Sequence, residues 1–461
     1  MLPFSGSFFI EGLLNNVLYV VILSAALDLV DAASTPKGII LFVNIAPALL
    51  VKVGWPYLVK GEAQYGQRIV SCSAISFIGI IIVATSATLV PRLFGIAIAS
   101  FSSGLGEMTY LQLSTVYGAV PGADLGGIAV GWFASGTGAA GLVGAGLWWI
   151  LRGLGVRTGL LICCFLPLCM SFTYFLLLPP VSAMSESTFT VYDFLPDDAT
   201  DDDVSETGGD ESDDVSSAAL RQHGETHRAI ATRGLATTSP LSLHDKVNLA
   251  RPLVFRYMMP LFFVYLAEYT INSGVAPTLL YEIPDRRKSP VLSLIIKSLR
   301  DYYPLWQLVY QSFVFISRSS LSILRLPPIP IPFLPLPTLF QLGLLALTSL
   351  QASTLIISNA LGEAGATWVT FLLVACEGLA GGSAYVNCFY WLGLEDSIEE
   401  EEIDRADRDT DRIALEREFK MASVGFADTL GILCASLVAS ALEPALCKAQ
   451  VARGRTLCKQ L

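Results

Sequence analysis

Eleven runs of apolar residues, each about as long as a bilayer is thick, recur along this 461-residue chain and leave it few folds. They lie at roughly 7–30, 37–58, 69–90, 93–117, 126–150, 157–179, 253–281, 302–325, 333–357, 365–394 and 419–442. A helix rises ~1.5 Å per residue and the hydrocarbon core is ~30 Å thick, so about 20 apolar residues cross it. Backbone polar groups in lipid must be satisfied within the segment, and runs of this length do that as α-helices. The chain is therefore expected to be an all-α polytopic membrane protein, in keeping with a composition that is 53% hydrophobic.

The formal charge of −11 acquires meaning only when it is located. Residues 181–250 hold 14 acids against 4 Lys/Arg, residues 395–420 hold 12 against 5, and the remainder is net positive by 6. The acidity belongs to two hydrophilic loops, so it gives no sign for a substrate and no case for a nucleic-acid partner. The first loop cannot bury a core and is expected to be disordered. It divides an N-terminal half of six spans, 1–180, from a C-terminal half of five, 251–445, which contains the second acidic loop at 395–418 and is followed by a tail at 446–461. Lys60, Arg68, Arg251, Arg256, Arg325 and Arg417 share the N-terminal side, which places the N-terminus and both acidic loops in the cytoplasm, against an opposing cluster at Arg286, Arg287, Lys288, Lys297 and Arg300. Tyr192-Asp-Phe-Leu195 fits a tyrosine-based sorting signal, and cytosolic trafficking factors are conceivable partners there. The first run lacks a basic leader and reads as a span, not a signal peptide. Eleven spans make the tail lumenal, whereas Cys458-Lys-Gln-Leu461 has the outline of a prenylation box that needs a cytosolic tail; the span count is preferred.

Polar residues inside the spans point to function, because an ionised group facing lipid costs at least ~2.5–3.5 kcal/mol and should face an interior or a water-filled cavity. Ser103, Glu107, Tyr110 and Ser114 form one helical stripe, as do Tyr265, Glu268, Tyr269 and Asn272, and so do Gln307, Gln311, Arg318 and Ser322. Glu107, Glu268, Arg318, Glu377 and Asp428 are the candidate transport and proton-coupling residues. Asn15, Asn16, Tyr19, Ser103, Ser135, Thr137, Tyr265, Tyr269, Asn272, Gln311, Tyr385 and Asn387 are the candidate cavity lining. Glu107 also admits a structural reading, as a buried carboxyl bonded to a neighbouring helix. Arg318 is expected to pair with Glu268 or Glu107, and Pro260 and Pro277 are expected to kink the seventh span. All three histidines sit in the first acidic loop, so proton coupling must use carboxylates. The nine cysteines show no paired C-x-x-C spacing, and neither a disulfide framework, a metal site nor a cofactor is expected. No nucleophile–histidine pair lies within the spans, which argues against an enzyme.

Two patterns bear on architecture. Gly136-Thr-Gly138-Ala-Ala-Gly141 matches a dinucleotide fingerprint, yet it has no preceding strand and continues a face of Gly127, Gly131, Ala134 and Ala145 suited to close helix packing. Ser103-Gly-Leu-Gly106 in the fourth span resembles Glu377-Gly-Leu-Ala380 in the tenth, and an offset of six suits two parallel halves of a major-facilitator-like bundle of about eleven helices, lacking a twelfth.

Several stretches, in order along nearly the whole chain, resemble the battenin family: Asn15-Asn16 through Ser24-Ala-Ala26, Ser102-Ser-Gly-Leu-Gly-Glu107, Ser135-Gly-Thr-Gly138, Tyr265-Leu-Ala-Glu-Tyr269 with Ile271-Asn272, Ser317-Arg-Ser-Ser320, Glu377-Gly-Leu with Ala384-Tyr-Val-Asn387, and Glu418-Phe with Asp428-Thr-Leu-Gly431. The resemblance implies a vacuolar or endolysosomal membrane protein with a major-facilitator-like fold, distantly similar to equilibrative nucleoside transporters. It implies roles in vacuolar pH homeostasis and basic amino-acid transport, or in glycerophosphodiester clearance, with Glu268, Arg318 and Asp428 as the charged positions of most weight. Departures are Glu11 where the family has an apolar residue, a short leader, a long Glu282–Arg300 connector and six prolines between Pro327 and Pro337. The leading expectation is a multi-pass vacuolar membrane transporter, embedded in lipid, moving a small polar solute with protons. The alternative is a non-transporting scaffold that recruits trafficking or pump-regulating factors through its acidic loops.

Overall fold

The computed structural model describes residues 2–29, 36–58, 64–118, 125–181, 243–321 except 288, 324, 326–404 and 410–460. The sorting-signal candidate Tyr192–Leu195 and nearly all of the first acidic loop lie outside these residues. Among the described residues the chain is built from helices and contains no strand. Eleven rods organise it: α1 (Leu2–Ser24), α2 (Lys37–Leu58), α3 (Tyr65–Thr85), α4 (Leu89–Gly118), α5 (Leu125–Leu151), α6 (Val156–Leu177), α7 (His244–Thr278), α8 (Tyr302–Arg318), α9 (Pro335–Thr354), α10 (Ile356–Asp404) and α11 (Thr410–Ala452). Nine of these contain stretches long and apolar enough to cross a membrane; α2 and the shorter, polar α8 complete the bundle.

The packing repeats with an offset of six. In the first half α1 packs on α5, α2 on α4, α3 on α4 and α1 on α4; in the second, α7 packs on α11, α8 on α10, α9 on α10 and α7 on α10. The halves meet along two seams, α2 against α11 and α5 against α8, which are the same contact under the same offset. Among the described residues α6 packs on α3, and also on α1 and α5, where the second half shows no equivalent element, while α9 packs on α7 and α11 more closely than α3 does on α1 and α5.

Small residues set the helix separations. A Cβ added to Gly12 would overlap the Phe133 carbonyl, and one added to Gly136 would overlap the Phe9 carbonyl, so α1 and α5 touch backbone to backbone. The glycine-rich fingerprint of the fifth span is thus a packing face. Gly138 lies against the Arg318 side chain and Gly141 against Gln311, which brings α8 onto α5 across the seam.

The irregularity of α7 falls at π-helical turns, Val254–Met258 and Ile271–Val275, which lie just before Pro260 and Pro277 and contain the residues whose carbonyls lose a regular partner to those prolines, as expected of kinks there. One local expectation is corrected. The acidic segment 395–418 is largely helical, since α10 continues to Asp404 and α11 begins at Thr410; glutamate is a good helix former and prolongs an established span. Of the proline-rich connector, 326–330 is extended, while Pro335 and Pro337 occupy the first turn of α9.

Candidate functional site

The interior of the second half is a column of polar side chains threaded through α7, α8 and α10. Glu268 is 2% exposed; the Tyr310 hydroxyl donates to its Oε1, while Oε2 has no partner and lies against Gly381, where any Cβ would collide with it. One helical turn on, Asn272 donates from Nδ2 to Glu377 Oε1 at 2.9 Å and accepts from Gln307 Nε2 at 2.8 Å. Glu377 and Glu268 lie within electrostatic reach of each other, both buried. The π-helical turn at Ile271–Val275 starts beside Asn272, and such turns break the regular ladder at the point where a side chain must be re-aimed.

Four charged groups stand together on α2, α4, α8 and α11. Lys52 of α2 pairs with Glu107 of α4 at 2.8 Å, and these side chains are 26% and 31% exposed. Arg318, at the end of α8, donates from Nη2 to the Tyr265 hydroxyl at 2.9 Å and stacks over the Tyr385 ring 4.4 Å from its centroid, with its Nε unpartnered. It forms no ion pair with Glu268 or Glu107 among the described residues, which corrects the expected pairing; aromatic faces hold the guanidinium instead. Asp428 of α11 accepts from the neighbouring Thr429 hydroxyl, at 2.7 Å, while lying within electrostatic reach of Lys52, Glu107 and Arg318. Among the described residues the arrangement therefore pairs one cation and one anion on the first half and leaves one of each without an ionic partner on the second.

The first half mirrors part of this chemistry. Glu11-Gly-Leu-Leu-Asn15 in α1 and Glu268-Tyr-Thr-Ile-Asn272 in α7 place a carboxylate one turn before an asparagine. Glu11 is buried and accepts from the Tyr110 hydroxyl at 2.6 Å. Asn15 Nδ2 donates to the Ser103 carbonyl at 3.1 Å, and the Ser103 hydroxyl donates back to the Asn15 carbonyl at 3.0 Å. Since Asn272 meets Glu377, the resemblance between Ser103-Gly-Leu-Gly106 and Glu377-Gly-Leu-Ala380 marks equivalent positions in the two halves.

Ionic contacts close the opposite end, where α1, α5 and α11 finish and α2 and α8 begin. Arg152 lies 3.4 Å from Asp28 and donates to Asp301 at 2.6 Å, joining the halves. Lys37 lies 3.5 Å from Glu443, and its backbone N–H also donates to that carboxylate. The Tyr303 hydroxyl donates to the Leu23 carbonyl at 3.3 Å. One end is thus bolted across both seams, while Lys52 and Glu107, nearer the other, are partly exposed.

The remaining candidates fall in several places. Tyr265 and Tyr269 stack at 5.9 Å, Tyr265 meets Tyr385 edge to face at 6.4 Å, and Gln311 lies in the α5–α8 seam. Tyr19 faces Tyr269. Asn16, Ser135 and Thr137 bond back to carbonyls of their own helices, at Gly12, Gly131 and Ala134. Asn387 holds the proline-rich connector by accepting from the Ile329 N–H at 2.6 Å. Sequence reasoning passed over Lys52 and Tyr310, and it noted Glu11 without giving it a place in the site. Lys52 was visible as the one cation well inside the second apolar run, and Tyr310 stands three residues from Gln307 on the polar face of α8.

Known proteins resemble the chain over nearly its full length. The family described as CLN3 protein matches residues 6–449. Protein BTN1 of Mycosarcoma maydis is 44% identical over 488 residues, covering 98% of this chain and 88% of the relative. Protein BTN1 of Yarrowia lipolytica is 38% identical over 456 residues, covering 98% and 96%. Among solved structures, a POT family transporter in complex with a thioalcohol-conjugated peptide superposes with a TM-score of 0.53 at 10% identity, covering 98% of this chain and 96% of that one. Another, in complex with 5-aminolevulinic acid, gives 0.54 at 10% identity, covering 97% and 95%. At that identity the likeness is one of fold.

Proposed function

Because the chain belongs to the CLN3 protein (battenin) family, we propose that it is a transporter of the vacuolar membrane that moves a small polar solute in company with protons and so contributes to vacuolar pH homeostasis. The observation that carries this reading is the unmatched pair on the second half, Arg318 and Asp428, facing the matched pair Lys52–Glu107 on the first. An anionic group of the solute satisfies Arg318 and an ammonium satisfies Asp428. Basic amino acids and glycerophosphodiesters with an ammonium headgroup both offer those two charges. Arg318 presents a planar donor fork held by Tyr385, suited to a carboxylate or phosphate.

Protons enter through the Glu268–Glu377 column. Two carboxylates in one dry site do not ionise together cheaply, and Tyr310 and Asn272 each supply a single donor. A proton held there leaves a single negative charge in the column, and it is released when the halves rock and water reaches it. Alternating access follows if the ionic contacts Asp28–Arg152–Asp301 and Lys37–Glu443 open as the Lys52–Glu107 end closes around bound solute.

Purified protein in proteoliposomes under an imposed pH gradient tests this, with labelled basic amino acids and glycerophosphodiesters offered in turn. Gradient-dependent uptake by wild type, with the pH dependence lost in Glu268→Gln, is the expected result. Folded protein that moves neither class, or a Glu268→Gln variant with unchanged pH dependence, contradicts it.

A further inference from the structure

The C-terminal tail carries an observation independent of what is transported. Cys447, in the last turns of α11, and Cys458, beyond its end, form a disulfide, while the other seven cysteines are free. This corrects the expectation of a chain without disulfides; a separation of eleven residues has no motif to announce it, and only the turn back of the tail brings the two together. The turn is held by several further contacts. Arg455 forms a two-pronged ion pair with Glu363 at 2.8 and 2.7 Å, donates to the Leu280 carbonyl at 2.6 Å and stacks over Tyr281. Gln450 donates to the carbonyls of Thr278 and Ala352. Leu457 packs against the hydrophobic cluster that contains Leu280, Tyr281 and Tyr302. These residues all stand at the end of the bundle closed by Arg152 and Lys37.

We propose that the Cys447–Cys458 bond is made in the oxidising lumen of the secretory route, which places the tail and the ion-paired end of the bundle on the lumenal face and removes Cys458 from prenylation. Cytosolic thiols are kept reduced, so a stable structural disulfide belongs on the other side of the membrane. The eleven rods among the described residues put the tail opposite the N-terminus, in agreement. In the step itself two thiols lose two protons and two electrons as the S–S bond forms. The electrons pass by thiol–disulfide exchange to a protein disulfide of a lumenal oxidoreductase, which leaves as a dithiol. Burial of Cys458 and its bond to Cys447 deny a prenyl group both its sulfur and the room it needs. The tail bonds named above all join parts of the second half, so the strap travels with that half when the halves rock and stiffens its lumenal end without locking the seams.

The test uses the full unmodified chain, with free thiols blocked at lysis. After reduction, two new thiols should accept a maleimide–polyethylene glycol in wild type and none in Cys447→Ser or Cys458→Ser, and the native C-terminal fragment should have the mass of the disulfide, two hydrogens below the dithiol. In parallel, a glycosylation acceptor built over Asp285–Arg287 should acquire a glycan, and one built over Asp193–Asp214 should not. A prenylated Cys458, thiols labelled without reduction, or the reverse glycosylation pattern overturns the proposal.

Discussion

Arg318 rests on aromatic rings and a phenol instead of a carboxylate, and this is what makes it available. A guanidinium already neutralised by Glu268 would have little attraction left for a solute. Stacking keeps it planar and aimed, at a gain of ~0.5–2 kcal/mol that lysine cannot reproduce. Arg318→Lys is therefore predicted to raise the KM of uptake by about tenfold, equivalent to ~1.4 kcal/mol, with little change in the detergent melting midpoint. Tyr310→Phe removes the single donor to the buried Glu268 carboxyl and is predicted to lower stability by ~1–3 kcal/mol, read in a thermal-shift assay. At this scale the sequence was informative about which groups matter and poor on who meets whom. Glu107, Glu268, Arg318, Glu377 and Asp428 stood out because charge in an apolar run is costly. Their partners come from other rods: Lys52 for Glu107, Tyr310 for Glu268, Asn272 for Glu377, and helical periodicity carries no information across rods.

Helix against helix, the glycines of α1 and α5 do most of the specifying. Backbones in contact at Gly12 and Gly136 leave no room for a methyl group, so Gly136→Ala should force the pair apart and destabilise the protein by ~1–3 kcal/mol, whereas Gly131→Ala, with open space around it, should leave the melting midpoint unchanged or raise it. Equal effects from the two substitutions would remove packing as the reason for the glycine-rich face. This element was legible as a packing helix because a dinucleotide loop needs a strand before it and the fifth span has none. That α7 is irregular was legible from Pro260 and Pro277, whereas the form it takes, a π-helical turn just before each proline, was not.

For the molecule as a whole, the offset-of-six packing and the two seams describe a pair of bodies that can rock, and the ionic contacts at one end say which way they now lean. The fold was readable early because span length and lipid leave the backbone little choice. The bolts were not, since Asp28, Arg152, Asp301 and Glu443 lie near span ends, where charges serve topology and attract no other notice. Arg152→Gln severs the ion pair to Asp301 and the bond to the Arg300 carbonyl, which join the halves, and hydrogen exchange in 281–301 is predicted to quicken while the interior of α4 stays protected; unchanged exchange would mean that those links do not hold the end shut. The central claim is that solute held by Arg318 and Asp428 moves together with protons carried by the Glu268 column. Its most direct measurement is the internal pH of proteoliposomes, read with a trapped dye, when solute is added outside with no pH gradient imposed. Solute addition should acidify the interior in wild type and fail to do so in Glu268→Gln; solute entering wild-type vesicles with no movement of protons would contradict the account.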